Sequence, residues 1–336
     1  MNIVKNYLIK NILANKKLLI TGANGCVGQY LIDWFLNNSN FSIFLMVRDP
    51  SKLSDEIKNN KRIKLLICDI RESKNFHDKI KNINYLVHTA TAWGDPKRAY
   101  EVNVKAFEDL IVMLNKDCIE RIIYFSTASI LDKNTELMRE AMIYGTEYIQ
   151  TKYLCYENLK KSEFSKITDV VFPTLVFGGT LDDKSYFPVS YLTSGLKEAK
   201  KWLWIARFFK LDSKFHFIHA RDIAQICGYL ISETYRGKSR GFKKFVLGQK
   251  FITIDEALVT LLKKYQLKRY FSLKISKGII KLILKVLPVQ TTNWDSFSIN
   301  KYHFDHKPIT TPETFGLTSY AKTLKKVIQV SKLPKM

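Results

Sequence analysis

Acidic side chains are scarce in this chain of 336 residues. Its 31 Asp and Glu stand against 54 Lys and Arg, which gives a formal net charge of +23. Such an excess first raises nucleic acid as a partner, but the other requirements are missing. There is no zinc finger, no RNP motif and no Arg-rich arm, and only 11 of the scattered basic residues are Arg. Nucleic acid is therefore not an expected partner. The charge reads as a drift toward Lys, Asn and Ile on a solvated surface, with attraction to an anionic membrane surface as the alternative. Cysteine is also sparse. The five residues Cys26, Cys68, Cys118, Cys155 and Cys227 form no CxxC pair, and several sit inside apolar runs. That argues against a disulfide framework and for buried, reduced thiols. No apolar run reaches the roughly 18 residues of a membrane span. The opening MNIVKNYLIKNILANKK lacks a continuous apolar core and a small-residue cleavage site, so it reads poorly as a signal peptide. A cytoplasmic location is expected, peripheral to a membrane if the charge acts there. No metal site is expected, and there is no internal repeat or low-complexity linker.

What is present is alternation. Short β-branched runs at Leu18–Thr21, Ser42–Val47, Ile63–Cys68, Tyr85–His88, Arg121–Ser126 and Asp169–Phe172 are separated by helix-period stretches such as Val27–Asn37 and Val102–Asn115. This order predicts an α/β fold, a doubly wound parallel sheet covered on both faces. A further helix at Ile223–Glu233 and a strand at Lys244–Leu247 follow. The expected division is a dinucleotide-binding domain over 16–175, rejoined by 221–250. A smaller, mostly helical substrate lobe is expected from 176–220 and 251–336.

The first strand runs into TGANGCVG, residues 21–28, with Gly22, Gly25 and Gly28 at spacing three. A strand, a glycine turn and a helix place free N–H groups and a positive dipole end beside a phosphate. Gly22 would turn the chain, Gly25 would admit a pyrophosphate, and Gly28 would let helix and strand touch. Thr21, Asn24, Cys26 and Val27 complete this candidate cofactor loop. Twenty residues past Gly28 stands Arg48, where an NAD-selecting acid would be expected. An Arg there suits a 2′-phosphate, with Lys52 adding charge, so NADP(H) is expected in preference to NAD(H). Asp49 is a competing acid. Asp69, with Ile70 after the third strand, can accept from an adenine amino group. The small residues of VHTAT, 87–91, suit packing against a flat ring.

The fifth strand leads into YFSTAS, 124–129, and YIQTK brings Tyr148 and Lys152 four residues apart, on one face of a helix. An ammonium beside a phenol lowers its pKa, which makes Tyr148 a candidate acid–base, with Thr127 holding the reacting oxygen. Lys152 could also bond a nicotinamide ribose.

These ordered motifs resemble the extended short-chain dehydrogenase/reductase family, also described as the NAD-dependent epimerase/dehydratase type, over roughly residues 16–260. TGANGCVG is similar to TGxxGxxG, VHTAT to HxAA, FPTLVFGG at 172–179 to RPxxVYGP, and FHFIHARDIA at 215–224 to FVHVxDVA. The resemblance implies a catalytic set of Asn103, Thr127, Tyr148 and Lys152. It adds His88, Thr89, Ala90, Pro173 and Val176 to the cofactor contacts. Departures from the sugar-nucleotide pattern are Thr174 in place of Asn, Phe215 in place of Arg, Ala128–Ser129 in place of Asp–Glu, and no proline between Thr127 and Tyr148. They imply an NADPH-linked reductase of an uncharged or apolar small molecule. A nucleotide-sugar epimerase and a non-catalytic NADP-binding protein remain the alternatives, and a homodimer is compatible with any of them.

Two C-terminal segments stand outside this resemblance. GLKEAKKWLWIARFFK, 195–210, sets Trp202, Trp204, Phe208 and Phe209 among basic residues, and LKISKGIIKLILKVLP, 273–288, reads as a basic, amphipathic helix. The second is expected to carry Lys274, Lys277, Lys281 and Lys285 as one stripe, with Ile279, Ile280, Ile283 and Leu287 on the apolar side. Core packing or cleft lining is the expected role, and weak peripheral membrane contact the alternative.

Overall fold

The computed structural model describes residues 16–179, 189–232, 241–279 and 292–331. Seven strands form one sheet: β1 (Lys17–Thr21), β2 (Ser42–Val47), β3 (Ile63–Ile67), β4 (Tyr85–His88), β5 (Arg121–Phe125), β6 (Thr168–Pro173) and, after an excursion, β9 (Lys243–Leu247). Their order is β9-β6-β5-β4-β1-β2-β3, with every neighbouring pair parallel. Leu18, Leu19 and Ile20 of β1 are fully buried on both faces, as a central strand sandwiched between helices must be. Sequence expectation and structure agree on this doubly wound sheet, with strand ends differing by one residue.

Helices cover the two faces. α1 (Cys26–Asn38) follows the glycine turn, and α5 (Ala220–Ile231) packs beside it with Gly228 directly under the Trp34 indole, where a Cβ would collide. On the other face lie α2 (Ala106–Val112) and α3 (Glu147–Lys161). The stretch expected as one helix from Val102 begins instead as a π-helical turn over Glu101–Lys105. The widened turn releases the Asn103 carbonyl, which accepts from the Cys155 thiol of α3 at 3.0 Å. Such turns are frequent at functional sites.

Between β6 and β9 the chain forms β7 (Leu175–Phe177), α4 (Tyr191–Ala199) and β8 (Phe217–His219), with β8 parallel to β7. α6 (Ile254–Lys264) starts at a capping box between Thr253 and Glu256, and α7 (Leu324–Val330) packs near it. Phe177, Leu203, Phe217, Leu261, Leu262 and Val327 belong to a third buried cluster, apart from the two that flank the sheet.

The helix expected over 273–288 does not begin at its first residue: Leu273–Lys274 is a strand, the backbone turns helical at 277–279, and 280–288 lie outside the described residues. Within 195–210 the backbone passes from α4 through a 3₁₀ turn at Lys200–Trp202 and a helical turn at Leu203–Ala206 into a two-residue strand, Phe209–Lys210. Leu273–Lys274 pairs with that strand in parallel. Lys274 is drawn to Asp212 at 2.7 Å, and Lys277 donates to the Asn300 carbonyl at 2.9 Å. Strand pairing and the Asp212 bond replace the helical pattern at Leu273–Lys274, whereas 277–279 are helical. Lys281, Lys285, Ile280, Ile283 and Leu287 lie outside the described residues. No described helix is long and apolar enough to cross a membrane.

A return strap closes the molecule. Phe304 bridges Phe215 and Thr310 bridges Leu247. His306 donates its backbone N–H to His216 Nε2 and its Nδ1–H to the Asp132 carbonyl, both at 2.9 Å. Lys307 N–H bonds the Lys133 carbonyl at 2.8 Å, and Lys301 Nζ reaches the Leu131 carbonyl at 3.2 Å.

Candidate functional site

Strand order reverses between β1 and β4, which is where doubly wound sheets open a crevice at the strand ends. A cleft of about 730 Å³ lies there. Thr21, Gly22, Asn24, Gly25, Arg48, Lys52, Asp69, Ile70, Thr89 and Ala90 line it. The two strand ends are laced together: Thr89 Oγ1 donates to the Thr21 carbonyl at 2.7 Å, and Ala90 N–H to Thr21 Oγ1 at 3.3 Å.

Each glycine of the turn has its own reason. Gly22 has φ +68°, and a Cβ there would meet Thr89 Oγ1 at 2.6 Å. At Gly28 a Cβ would run into the Gly22 carbonyl and Ala23, so the helix could not sit against the strand. Gly25 is different. Its φ is −73°, and a Cβ would come no closer than 3.2 Å to the Gly22 oxygen. That contact is tight but a shift of a few tenths of an ångström would relieve it, and a ligand resting on bare backbone would be a further reason for glycine. Gly25 caps α1 without any side-chain bond, and the first turn (with Cys26, Val27 and Gly28) carries no acid. The positive end of α1 is thus left for an anion. Asn24 donates to the Asp49 carbonyl at 2.6 Å, while its buried Oδ1 has no partner among the described residues. These residues fit a nicotinamide dinucleotide.

Several expected contacts are placed otherwise. The ring of His88 is fully buried, hydrogen-bonded through Nδ1 to Thr21 Oγ1 at 3.0 Å and stacked 5.7 Å from Tyr124. Burial, with the Lys152 charge adding to it, holds its pKa well below the usual histidine value. It supports the strand ends from inside the core instead of facing the cleft. Cys26 is buried enough that its thiol rises to about 12, and Val27 packs into the core beneath α1. Neither Pro173 nor Val176 lines the cleft, and Val176 packs against the same core. Asp69 does line it, but Arg71 already grips its carboxylate, with Nε and one terminal nitrogen at 3.0 and 3.2 Å.

Asn103 is a clamp. Its Oδ1 accepts from Ala92 N–H at 2.7 Å and Thr91 Oγ1 at 3.1 Å, and its Nδ2 donates to the Ala92 carbonyl and Thr151 Oγ1, both at 2.9 Å. Every polar position of the amide is used, so Asn103 positions the loop after β4 against α3 and is a positioning residue, not a catalytic one. Glu147 ties the same loop by accepting from Gly94 N–H at 2.6 Å.

That loop links the cleft to the expected catalytic group. Trp93 lines the cleft, is 65% exposed, and stands edge-on to the Tyr148 ring with centroids 6.3 Å apart. The Thr127 hydroxyl donates to Ser129 Oγ at 3.3 Å and accepts from Ser129 N–H at 3.3 Å, and it acts to lower the Tyr148 pKa. Lys152 is 2% exposed and donates Nζ–H to the Phe125 carbonyl at 2.8 Å, with Nζ 5.9 Å from the Tyr148 centroid. The structure corrects the expected titration. Desolvation pushes Tyr148 up to about 12, only partly offset by Thr127, and pulls Lys152 down to about 8. One ammonium N–H is given to a backbone carbonyl, and burial decides the resting protonation of the phenol. Around neutral pH the pair is therefore a protonated phenol beside a cationic amine, which can donate a proton to a carbonyl oxygen.

Thr91, the last residue of VHTAT, lines the cleft as that motif suggested, and Trp93 and Arg98 line it without having been singled out by the sequence pattern. For Trp93 the signal was position, shortly after the fourth strand.

Residues 18–248 match the NAD dependent epimerase/dehydratase family. The chain belongs to that family. Among family members, UDP-glucose 4-epimerase of Rickettsia bellii (strain OSU 85-389) is 29% identical over 125 residues, 34% of this chain and 37% of the relative. The match thus spans little more than a third of that protein. The Bordetella bronchiseptica enzyme WbmG, solved in complex with NAD, superposes with a TM-score of 0.65 at 16% identity over 95% of this chain and 93% of its own. The terminal R domain from the myxalamid PKS-NRPS biosynthetic pathway gives a TM-score of 0.67 at 13% identity over 95% and 91%. At such identities the two structures share the epimerase/dehydratase fold with this chain.

Proposed function

We propose that this chain is an NADP(H)-dependent oxidoreductase acting on an alcohol or carbonyl carbon of a small or apolar molecule. The observation that carries the reading is the grouping of Thr127, Tyr148 and Lys152 just behind the cleft, with the Tyr148 ring against Trp93 of the cleft wall. A bound nicotinamide dinucleotide would supply or take up the hydride, held by the Gly22–Gly28 turn with Arg48 and Lys52 on a 2′-phosphate. Tyr148 donates its phenolic proton to the carbonyl oxygen as that oxygen becomes an alkoxide. Thr127 orients the same oxygen, and the Lys152 charge stabilises the phenolate that remains. The protonated resting state of Tyr148 favours the reductive direction. Residues 176–220 and 251–336 would shape the substrate side.

Arg48 gives the cofactor test. NADPH is expected to bind more tightly than NADH, and Arg48→Ala should weaken NADPH alone by about ten- to a hundredfold, the worth of a charge-assisted bond. Equal dissociation constants for the two cofactors in the unmutated protein would overturn the preference.

The matched stretch of the rickettsial UDP-glucose 4-epimerase favours a second reading, epimerisation of a nucleotide sugar with the same three residues. A panel of carbonyls, alcohols and UDP-sugars separates the two. Net cofactor oxidation with a carbonyl supports the reductase; interconversion of sugar isomers without net cofactor change supports the epimerase.

A further inference from the structure

The C-terminal lobe carries an apolar groove that the chemistry of the cleft does not use. It has a volume of about 340 Å³ and is walled by Trp202, Ile205, Phe209, Ile254, Leu258 and Ile275. Its apolar surface continues outward. Phe271 packs on Phe208 with centroids 5.2 Å apart, and Leu273 pairs opposite Phe209. Trp202, Phe271 and Leu273 are 67%, 60% and 61% exposed, which is unusual for side chains of this size gathered in one place.

The charge around this patch is mostly of one sign. Residues 257–279 include Lys263, Lys264, Lys268, Arg269, Lys274 and Lys277 and no acid, and residues 199–211 include Lys200, Lys201, Arg207 and Lys210 and no acid. The four carboxylates that border these stretches are engaged: Asp212 by Lys274 at 2.7 Å, Asp255 by Arg269 at 2.8 Å, Glu198 by Lys201 at 2.7 Å, and Glu256 by the Thr253 N–H at 2.7 Å. Lys263, Lys264 and Lys268 remain exposed. A second copy of the chain would set lysine against lysine, which charge repulsion disfavours. Aromatic and aliphatic side chains within a lysine border instead match the boundary of an anionic bilayer, where rings enter the headgroup region and ammonium groups meet lipid phosphates and carboxylates.

We propose that this surface docks the protein on anionic lipid, with Trp202, Phe271 and Leu273 entering the bilayer boundary and Lys263, Lys264 and Lys268 lying on the headgroups. Co-sedimentation of the full chain with phosphatidylcholine vesicles, with and without phosphatidylserine, reads this without turnover. Binding is expected only with phosphatidylserine present. A fraction should persist at about 1 M salt, where screening leaves charges a reach of about 3 Å. Trp202→Ser combined with Phe271→Ser and Leu273→Ser should remove that salt-resistant fraction. Lys263→Glu combined with Lys264→Glu and Lys268→Glu should weaken binding at low salt by about a hundredfold. All six positions are exposed, and unchanged melting temperatures will show that the variants fold. Quenching of Trp fluorescence by acyl-brominated lipid is expected in the unmutated protein and reads insertion without any variant. Absence of sedimentation overturns the proposal. So does binding that high salt abolishes and the serine variant leaves unchanged, since net charge alone would then account for it. Concentration-dependent dimerisation lost in the serine variant, with vesicles ignored, would assign the patch to a second copy and overturn it equally.

Discussion

Tyr148→Phe is expected to reduce turnover by about 10²–10⁴-fold, the usual contribution of a positioned general acid, with NADPH binding nearly unchanged. Phenylalanine preserves the ring and its edge contact with Trp93, so the cleft keeps its shape. What disappears is one O–H that, with its pKa raised to about 12, stays protonated through the neutral range and is available for transfer. Single-turnover kinetics on a substrate found in the carbonyl panel, together with a binding titration of NADPH, separates loss of chemistry from loss of affinity. Full activity in the variant would show that another group delivers the proton.

Lys152→Met should have opposite effects on activity and stability. Turnover should fall steeply, because no cation remains to stabilise the phenolate. Stability at pH 7 should rise. Lys152 is almost wholly buried, and its pKa falls from 10.5 to about 8. Between those values the unfolded chain holds the extra proton, so the lysine-bearing protein gains stability as pH climbs from 8 toward 10.5. Below pH 8 the amine is charged in both states and the burial penalty is fully present, about 3 kcal/mol for a shift of this size. The bond lost to the Phe125 carbonyl returns about 1 kcal/mol of that. Melting curves at pH 7 and pH 10 provide the check: the methionine variant should melt higher at pH 7, with the gap narrowing at pH 10. A lower melting temperature at pH 7 would show that the carbonyl bond outweighs the burial.

The sheet was legible because central strands buried on both faces leave a plain signature, runs such as Leu18–Leu19–Ile20 set between helix-period stretches. The glycine turn was legible because bare backbone can be supplied by only one residue type, and Gly22 and Gly28 show why. Side-chain electrostatics were less so. The spacing of Tyr148 and Lys152 places them on one helix, but nothing in it announces that the ammonium is held by the Phe125 carbonyl or that desolvation dominates both groups. His88 and Asn103 illustrate a second limit. Motif position marks a polar residue near the site, yet burial and partners decide whether it faces a ligand or braces a loop. The start of the helix expected over 273–288 was misplaced for a third reason: pairing between Phe209–Lys210 and Leu273–Lys274 joins residues some sixty positions apart, and such partners are invisible to local periodicity.

The return strap ties the order of synthesis to the state of the active region. The turn at 131–135 precedes α3 and lies on the path from Thr127 to Tyr148, and its carbonyls at Leu131, Asp132 and Lys133 are held by Lys301, His306 and Lys307. A nascent chain can therefore assemble β1 through β6 while this turn still lacks its partners. Those partners emerge from the ribosome about 170 residues later. Contacts of such long range form late and leave partly assembled surfaces exposed meanwhile. A truncation before residue 300 should yield a chain that keeps its sheet but leaves the segment leading into Tyr148 open to proteolysis. The contacts made by 301–307 are thus expected to be the last to fix a region encoded in the middle of the chain.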